Sequence, residues 1–316
     1  MGRNSLKKIL PLLIGLLLVY YSYENTSPEN RISVLNSISK ADYKFVLLSI
    51  FFGILSHLSR AFRWKYLLIP LGYHPGTLNS IMSVFACFFS NLGIPRSGEV
   101  LRASIMRYYE KIPFEKGFGT IISERIFDVL ILLSFIFTGL LISTKLEIPK
   151  FSLNFYFLFY ILLFALFYLF IFKSIEKKGL FKNIFKFLNG LKKGVFSISK
   201  MGNKILFFSH TIFIWFSYFF MFYIVKFSIP ETYNLGIEPL FIAFVAGAIA
   251  MSLTNGGIGA YPLAIAAILN QYEVSYEASI AFGWIVWTSQ TLMIVFFGSL
   301  SFVFLPILNK KTFKKV

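Results

Sequence analysis

FACFFSNLGIPRSGEVLRASI, residues Phe85 to Ile105, reads as a half-length apolar helix ending at Asn91, a Gly/Pro-rich break and a second short helix. A later stretch, FVAGAIAMSLTNGGIGAYPLAIAAIL, residues Phe244 to Leu269, breaks in the same manner behind its own asparagine, Asn255. A break leaves backbone N–H and C=O groups unpaired, which hydrocarbon does not tolerate, so it survives at membrane depth only inside protein or beside water. Paired broken segments in the two halves of a membrane chain point to a transporter's binding site.

Composition agrees with a membrane class. Hydrophobic residues make up 57% of the 316, charged residues 14%, and the mean hydropathy is +0.71, values outside the range of soluble domains. Runs such as Val129 to Ser143 and Phe155 to Phe172 are continuously apolar, which selects an all-α polytopic fold over the alternating strands of a barrel. One cysteine, Cys87, excludes an internal disulfide, and His57, His74 and His210 lack metal-ligand spacing, so no metal and no cofactor is expected. Arg3, Lys7 and Lys8 precede the apolar run Ile9 to Tyr23. No small-x-small cleavage site closes that run, and it reads as a retained first helix.

The lysines set the topology. Full spans are expected near residues 6–23, 44–68, 117–142, 155–173, 205–228 and 279–305, with a broken hairpin after the second and after the fifth. Nine lysines (173, 177, 178, 182, 186, 192, 193, 200 and 204) and the tail lysines 310, 311, 314 and 315 belong on the cytoplasmic side by the positive-inside rule. Residues 228–277 hold no Lys or Arg and four glutamates, the mark of the outer face. Counting spans from a cytoplasmic start satisfies every assignment if each hairpin enters and leaves on one side. The expected layout is a single membrane domain over 1–316 in the cytoplasmic (inner) membrane, both termini cytoplasmic. It holds a first helix and external loop (1–43), repeat 1 (44–142), a connecting span with a basic segment (143–204), an inverted repeat 2 (205–305) and a basic tail (306–316). In the basic segment, apolar residues from Phe181 to Ile198 recur at intervals of three and four, predicting an amphipathic helix on the inner leaflet. The net charge of +17 is accounted for by membrane surface, and no nucleic acid partner is implied.

Three polar groups fall in or beside apolar segments, where charge is costly and marks pairing or a substrate path. His57, Arg60 and Arg63 share one helical face near Trp64, either to hold a ligand or to snorkel to the interface. At the first break stand Asn91, Pro95, Arg96, Gly98, Glu99 and Arg102. Free N–H groups beside a guanidinium suit an anion such as phosphate, while Glu99 and Arg102, three apart, can also form a structural pair. Glu124 and Asp128 lie one turn apart and are expected to turn toward Arg60, Arg96 or Arg102, with Arg125 pointing elsewhere unless a neighbouring helix supplies its partner. The second break has no charge. Gly256, Gly257 and Gly259 permit positive φ and close approach, with Thr254, Asn255 and Tyr261 as neutral hydrogen-bonding groups, or else the small residues serve tight helix packing.

These blocks, SRAFRWKYLL with Arg60, Arg63 and Trp64, then NLGIPRSGEVLR, ERIFD and the late GGIG, resemble the flippase-like family represented by the transmembrane region of lysylphosphatidylglycerol synthase. The resemblance runs from about residue 44 to 305. Members include the membrane half of the multiple peptide resistance factor and stand-alone bacterial and archaeal proteins. It implies movement of a lipid between leaflets, with the family's positions falling on Pro95, Arg96, Gly98, Glu99, Arg102, Glu124, Arg125, Asp128, Gly256, Gly257 and Gly259. Many members read Pro-Gly-Gly before the late glycine and carry an acid after it. Here Asn255 stands before and Tyr261-Pro262 behind, so that acid's role does not carry over. The chain ends eleven residues after Leu305, and lysyl-lipid synthesis is not expected of it.

The leading expectation is therefore a translocator of a phospholipid or lipid-linked headgroup, not an enzyme, with Arg60, Asn91, Arg96, Glu99, Arg102, Glu124, Arg125 and Asp128 as headgroup candidates. Its partners are membrane lipids, and a homo-oligomer is compatible with the chain. Two alternatives remain from other classes: a membrane enzyme acting on a lipid headgroup, for which no phosphate-cradling loop or nucleophile motif is present, and a non-transporting envelope scaffold.

Overall fold

The computed structural model describes residues 15–24, 26–144 and 182–310. The described residues form helices joined by short turns, with no strand among them. Helix α1 covers residues 15–24, followed by α2 (Pro28–Ser39), α3 (Tyr43–Leu68), α4 (Thr77–Gly93), α5 (Ser97–Glu110) and α6 (Phe114–Ile142). The second part comprises α7 (Lys182–Val195), α8 (Lys204–Val225), α9 (Ile237–Leu253), α10 (Ala260–Gln271) and α11 (Tyr276–Leu308).

Local chemistry starts these helices where the sequence supplies a cap. Asp42 accepts from Lys44 N at 3.0 Å to open α3, Asn203 from Leu206 N at 3.2 Å to open α8, and Ser275 from Ala278 N at 3.3 Å to open α11, each satisfying an end donor that the helix itself cannot. Helices α3, α6, α8 and α11 have 26, 29, 22 and 33 residues. At about 1.5 Å per residue all four exceed a hydrocarbon core of about 30 Å. Their outward faces carry exposed Leu47, Phe51, Ile212, Phe216, Leu292 and Phe296, an apolar belt that only lipid can cover over so much surface. The chain is a polytopic helical membrane protein.

The expected spans at 44–68, 117–142, 205–228 and 279–305 match these four helices. The span expected at 6–23 is described only from residue 15, while the span expected at 155–173 and tail residues 311–316 lie outside the described residues. One correction concerns the expected external loop ahead of residue 43: it contains α2, opened by Ser27, whose side chain accepts from Asn30 N at 3.2 Å, and by Pro28 in the first turn, where the missing N–H is no loss. Helix α2 lies against α11.

Each half contains the same order of elements: 26, 17, 14 and 29 residues in α3 to α6, then 22, 17, 12 and 33 in α8 to α11. Helices α3 and α8 lie side by side, α11 packs on α4, and α6 packs reciprocally on α9. The paired 17-residue helices, α4 and α9, extend about 25 Å. The hairpin arms touch closely: a Cβ on Gly98 would lie 1.9 Å from the Cys87 carbonyl oxygen, and one on Gly247 would lie 2.7 Å from the Tyr261 ring.

The predicted basic amphipathic helix is present as α7, with Lys192 and Lys193 exposed beside exposed Phe187 and Leu188. It crosses α6 at backbone contact, since a Cβ on Gly194 would fall 2.4 Å from the Lys116 carbonyl oxygen and one on Gly119 would fall 2.3 Å from that of Leu191.

Candidate functional site

Two apolar cores lie on either side of a layer of charge. Trp64, Leu67, Met106, Ile121 and Phe207 form one, and Phe222, Leu240, Phe244, Ile265, Phe282 and Ile285 belong to the other. Arg60 (4% exposed), Arg63 (0%), Arg102 (3%), Glu124 (1%) and Asp128 (7%) occupy the layer between α3, α5 and α6. Burial at that level requires pairing, and the pairs are found across helices. Asp128 receives Arg60 Nη1 at 2.7 Å and Arg63 Nη1 at 2.9 Å. Glu124 receives Arg63 Nε at 3.3 Å and Arg102 Nη1 at 2.7 Å. Arg125 pairs with Glu99 and reaches Asp128 at 3.9 Å. Helix α8 adds two hydroxyls: Arg63 donates to Thr211 at 3.3 Å and Arg60 to Tyr218 at 3.1 Å.

The arginine planes also rest on aromatic rings, a contact that ring quadrupoles favour. The Arg102 guanidinium sits 3.7 Å from the Trp64 ring centroid, and that indole is fixed by its own bond to Thr120 Oγ1 at 2.8 Å. Arg60 and Arg125 flank the Phe88 ring at 5.5 and 6.0 Å.

Among the described residues, four guanidiniums thus meet three carboxylates, leaving one positive charge over. Arg60 Nε, Arg102 Nε and Nη2, and His57 Nδ1 are buried and have no hydrogen-bond partner among the described residues. Native structures satisfy most buried donors, and each exception needs an explanation.

The breaks connect to this layer through asparagines. Asn91 Oδ1 accepts from Gly98 N at 2.7 Å, bridging the first break, and its Nδ2 donates to Glu99 at 3.3 Å. Asn255 Nδ2 donates to the carbonyl oxygens of Leu92 at 2.9 Å and Gly93 at 3.4 Å, so the two breaks meet. The second break turns on positive φ at Gly256, Gly257 and Gly259, where a side chain would be strained. Trp287 Nε1 holds the Gly256 carbonyl at 2.7 Å, and α1 lies over the turn, with the Gly15 carbonyl 2.8 Å from where a Gly259 Cβ would stand.

Several expectations are corrected. Glu99 and Arg102 do not pair on their own helix: Glu99 takes Arg125, and Arg102 takes Glu124. Arg125 takes the partner from a neighbouring helix that the sequence left open, Glu99 on α5. Arg96 joins none of the ion pairs. It is exposed at the hairpin tip, with φ 61°, while Pro95 lies beside it in the turn. The arginines of α3 do not snorkel, being buried. Helix α4 continues past Asn91 to Gly93. Tyr261 is 7% exposed and belongs to an apolar core instead of offering a polar group at the break. Arg63, named for its helical face but not as a headgroup residue, is the fully buried hub of the network. Thr211 and Tyr218 have no signal in the sequence, since nothing in α8's apolar run distinguishes the face turned toward α3.

Comparison with known proteins gives two matches over part of the chain. The UPF0104 membrane protein MJ1595 of Methanocaldococcus jannaschii is 29% identical over 105 residues, 32% of this chain and 31% of that protein. The glycosyltransferase AglD of Haloferax volcanii is 31% identical over 104 residues, 33% of this chain and 16% of that protein. The chain thus covers less than a third of the length of either relative. No solved structure matches. The lysylphosphatidylglycerol synthase TM region family matches residues 8–299, and the chain belongs to that family.

Proposed function

We propose that this chain moves a lipid with an anionic headgroup between the leaflets of the cytoplasmic membrane and makes no covalent change to it. The observation carrying this reading is the unbalanced charge layer: one net positive charge and unpaired arginine donors, buried in a bundle whose outer surface is apolar. A single phosphodiester would balance that charge and accept from the spare donors, and charge-assisted bonds of this kind are among the strong ones. Arg60 and Arg102 would receive the head, while Glu99, Glu124 and Asp128 hold the guanidiniums in place.

The lysine distribution and the doubled element order support an inverted repeat whose hairpins, α4–α5 and α9–α10, enter from opposite faces with both termini cytoplasmic. The domain layout of two repeats about a connecting basic segment belongs to the same proposal, as does the seating of α7 on the inner leaflet.

The test is exchange of labelled phosphatidylglycerol, aminoacylated phosphatidylglycerol and a polyprenyl phosphate in vesicles containing the purified protein. Faster loss of outer-leaflet label than in protein-free vesicles is expected for at least one of these lipids. Equal rates for all would defeat the reading. Chromatography of the same lipids separates translocation from an enzyme that alters the head, since the headgroup stays unchanged only in the first case.

A further inference from the structure

The ends of the two hairpins carry polar contacts that the central layer does not use. At one end Glu110, the last residue of α5, accepts on Oε1 from Gly76 N at 2.9 Å and from Asn79 Nδ2 at 2.6 Å. Asn79 then exchanges amide bonds with Asn309, at 3.0 and 2.8 Å, and Asn309 is the residue that ends α11. Both arms of the first hairpin are therefore tied through one carboxylate to the long helix of the other half.

At the opposite end the arrangement recurs with the acid on the other arm. Glu238, in the first turn of α9, accepts on Oε1 from Tyr272 Oη at 2.7 Å, and Tyr272 closes α10. The same oxygen accepts from Thr144 N and Thr144 Oγ1, both at 2.7 Å, just beyond the end of α6. Once more a carboxylate joins the two arms of a hairpin to the long helix of the other half. The opposition of the ends follows from α3: its last turn bonds α4 through Lys65 and Thr77, whereas its start, at Asp42, bonds Ser228 beside the loop that leads to α9.

These contacts differ in kind from the central layer. Glu110, Asn79, Asn309, Glu238 and Tyr272 are half-buried and Thr144 is exposed, so water can replace their bonds at small net cost, which is not true of sealed ion pairs. The hairpin tips touch through Asn255 and Leu92, and α11 packs against arms of both hairpins. A packed path thus joins one hairpin to the other.

We propose that Glu110 and Glu238 are the two gates of this protein, that both are closed in this structure, and that release of one holds the other shut. The proposal rests on the lipid-moving reading for its purpose, although not for its test.

The test uses the full chain in lipid nanodiscs, with backbone hydrogen exchange followed at both ends, in the parent and in the Glu110→Gln and Glu238→Gln variants. Each variant is expected to speed exchange about tenfold at its own end and to slow it at the other. A rise at the altered end with the far end unchanged would overturn the proposal, leaving two local staples. A second arm closes the Glu110 end covalently in place of its amide bonds: Asn79→Cys with Asn309→Cys in a Cys87→Ser background, joined by a short reducible bis-methanethiosulfonate and compared before and after linking. Cross-linking is expected to speed exchange at the Glu238 end and to stop labelled-lipid movement until reductant is added. Unchanged exchange at that end overturns the gates. Opposed exchange without lipid movement in the parent sustains the gates and removes the lipid reading instead.

Discussion

Asn255 reaches across from the second helix break to the carbonyl of Leu92 in the first, 163 residues earlier in the chain, at 2.9 Å. The first interruption, which would be costly in lipid, therefore has part of its backbone need met by a side chain of the second. Asn255→Leu keeps the branched outline of the side chain and removes the donor. It is expected to lower the detergent melting temperature, on a scale of about 1 kcal/mol for a lost hydrogen bond, and to slow lipid exchange more than Thr254→Val, whose hydroxyl only returns to its own helix at Ala250. Equal effects of the two changes would show that the contact between breaks has no special part.

Arg63 is fully buried and serves both Glu124 and Asp128. Arg63→Met takes one of two close guanidiniums from each of Glu124 and Asp128, which keep Arg102 and Arg60, and should cost about 1–3 kcal/mol, seen as aggregation on size exclusion after mild heating. Arg63→Met with Asp128→Asn should cost less than the two single changes added together, because the two residues are directly paired. Simple additivity would mean that the ion pair is not what Arg63 contributes.

Arg96 stands at φ 61° as the residue before α5, and Gly259 occupies the corresponding place before α10 at φ 68°. Left-handed backbone costs a non-glycine residue about 1–2 kcal/mol. Arg96→Gly should leave the melting temperature equal or higher, so any fall in lipid exchange reports the side chain alone. Exchange at the parent rate in Arg96→Gly would remove Arg96 from the headgroup candidates and leave Arg60 and Arg102.

Gly98 and Gly93 flank the same break but differ in room. A methyl group on Gly98 would meet the Cys87 carbonyl at 1.9 Å, whereas nothing lies within 4 Å of one on Gly93. Gly98→Ala should therefore destabilise by about 1–3 kcal/mol through forced separation of the arms, while Gly93→Ala should melt as the parent does. Matching melting curves for Gly98→Ala and the parent would contradict the close approach of α4 and α5.

Hydropathy made the long helices legible because lipid and a buried core select the same residues over more than twenty positions. The breaks were legible because Gly and Pro disrupt helices by their own backbone chemistry. Helix α2 was not, since PENRISVLNSIS is polar and only its Ser27-Pro28 start marks it. The ion pairs were legible as members but not as partners. Spacing of three or four residues tells which side chains share a face, as with Glu124 and Asp128, and it suggested Glu99 with Arg102. Which helix each face meets depends on how α3, α5 and α6 rotate against one another, and that rotation is set by packing between segments far apart in sequence.

The distance along the chain between the buried charges also bears on how the protein is made. Arg60 waits for Asp128, 68 residues later, and Arg63 for Glu124, 61 residues later. During synthesis α3 leaves the ribosome well ahead of α6, with two arginines toward its end whose charge is costly in an apolar span while unmatched. Helices α3 to α6 are accordingly expected to enter the bilayer as one cohort, with α3 retained beside the insertion machinery until α6 arrives.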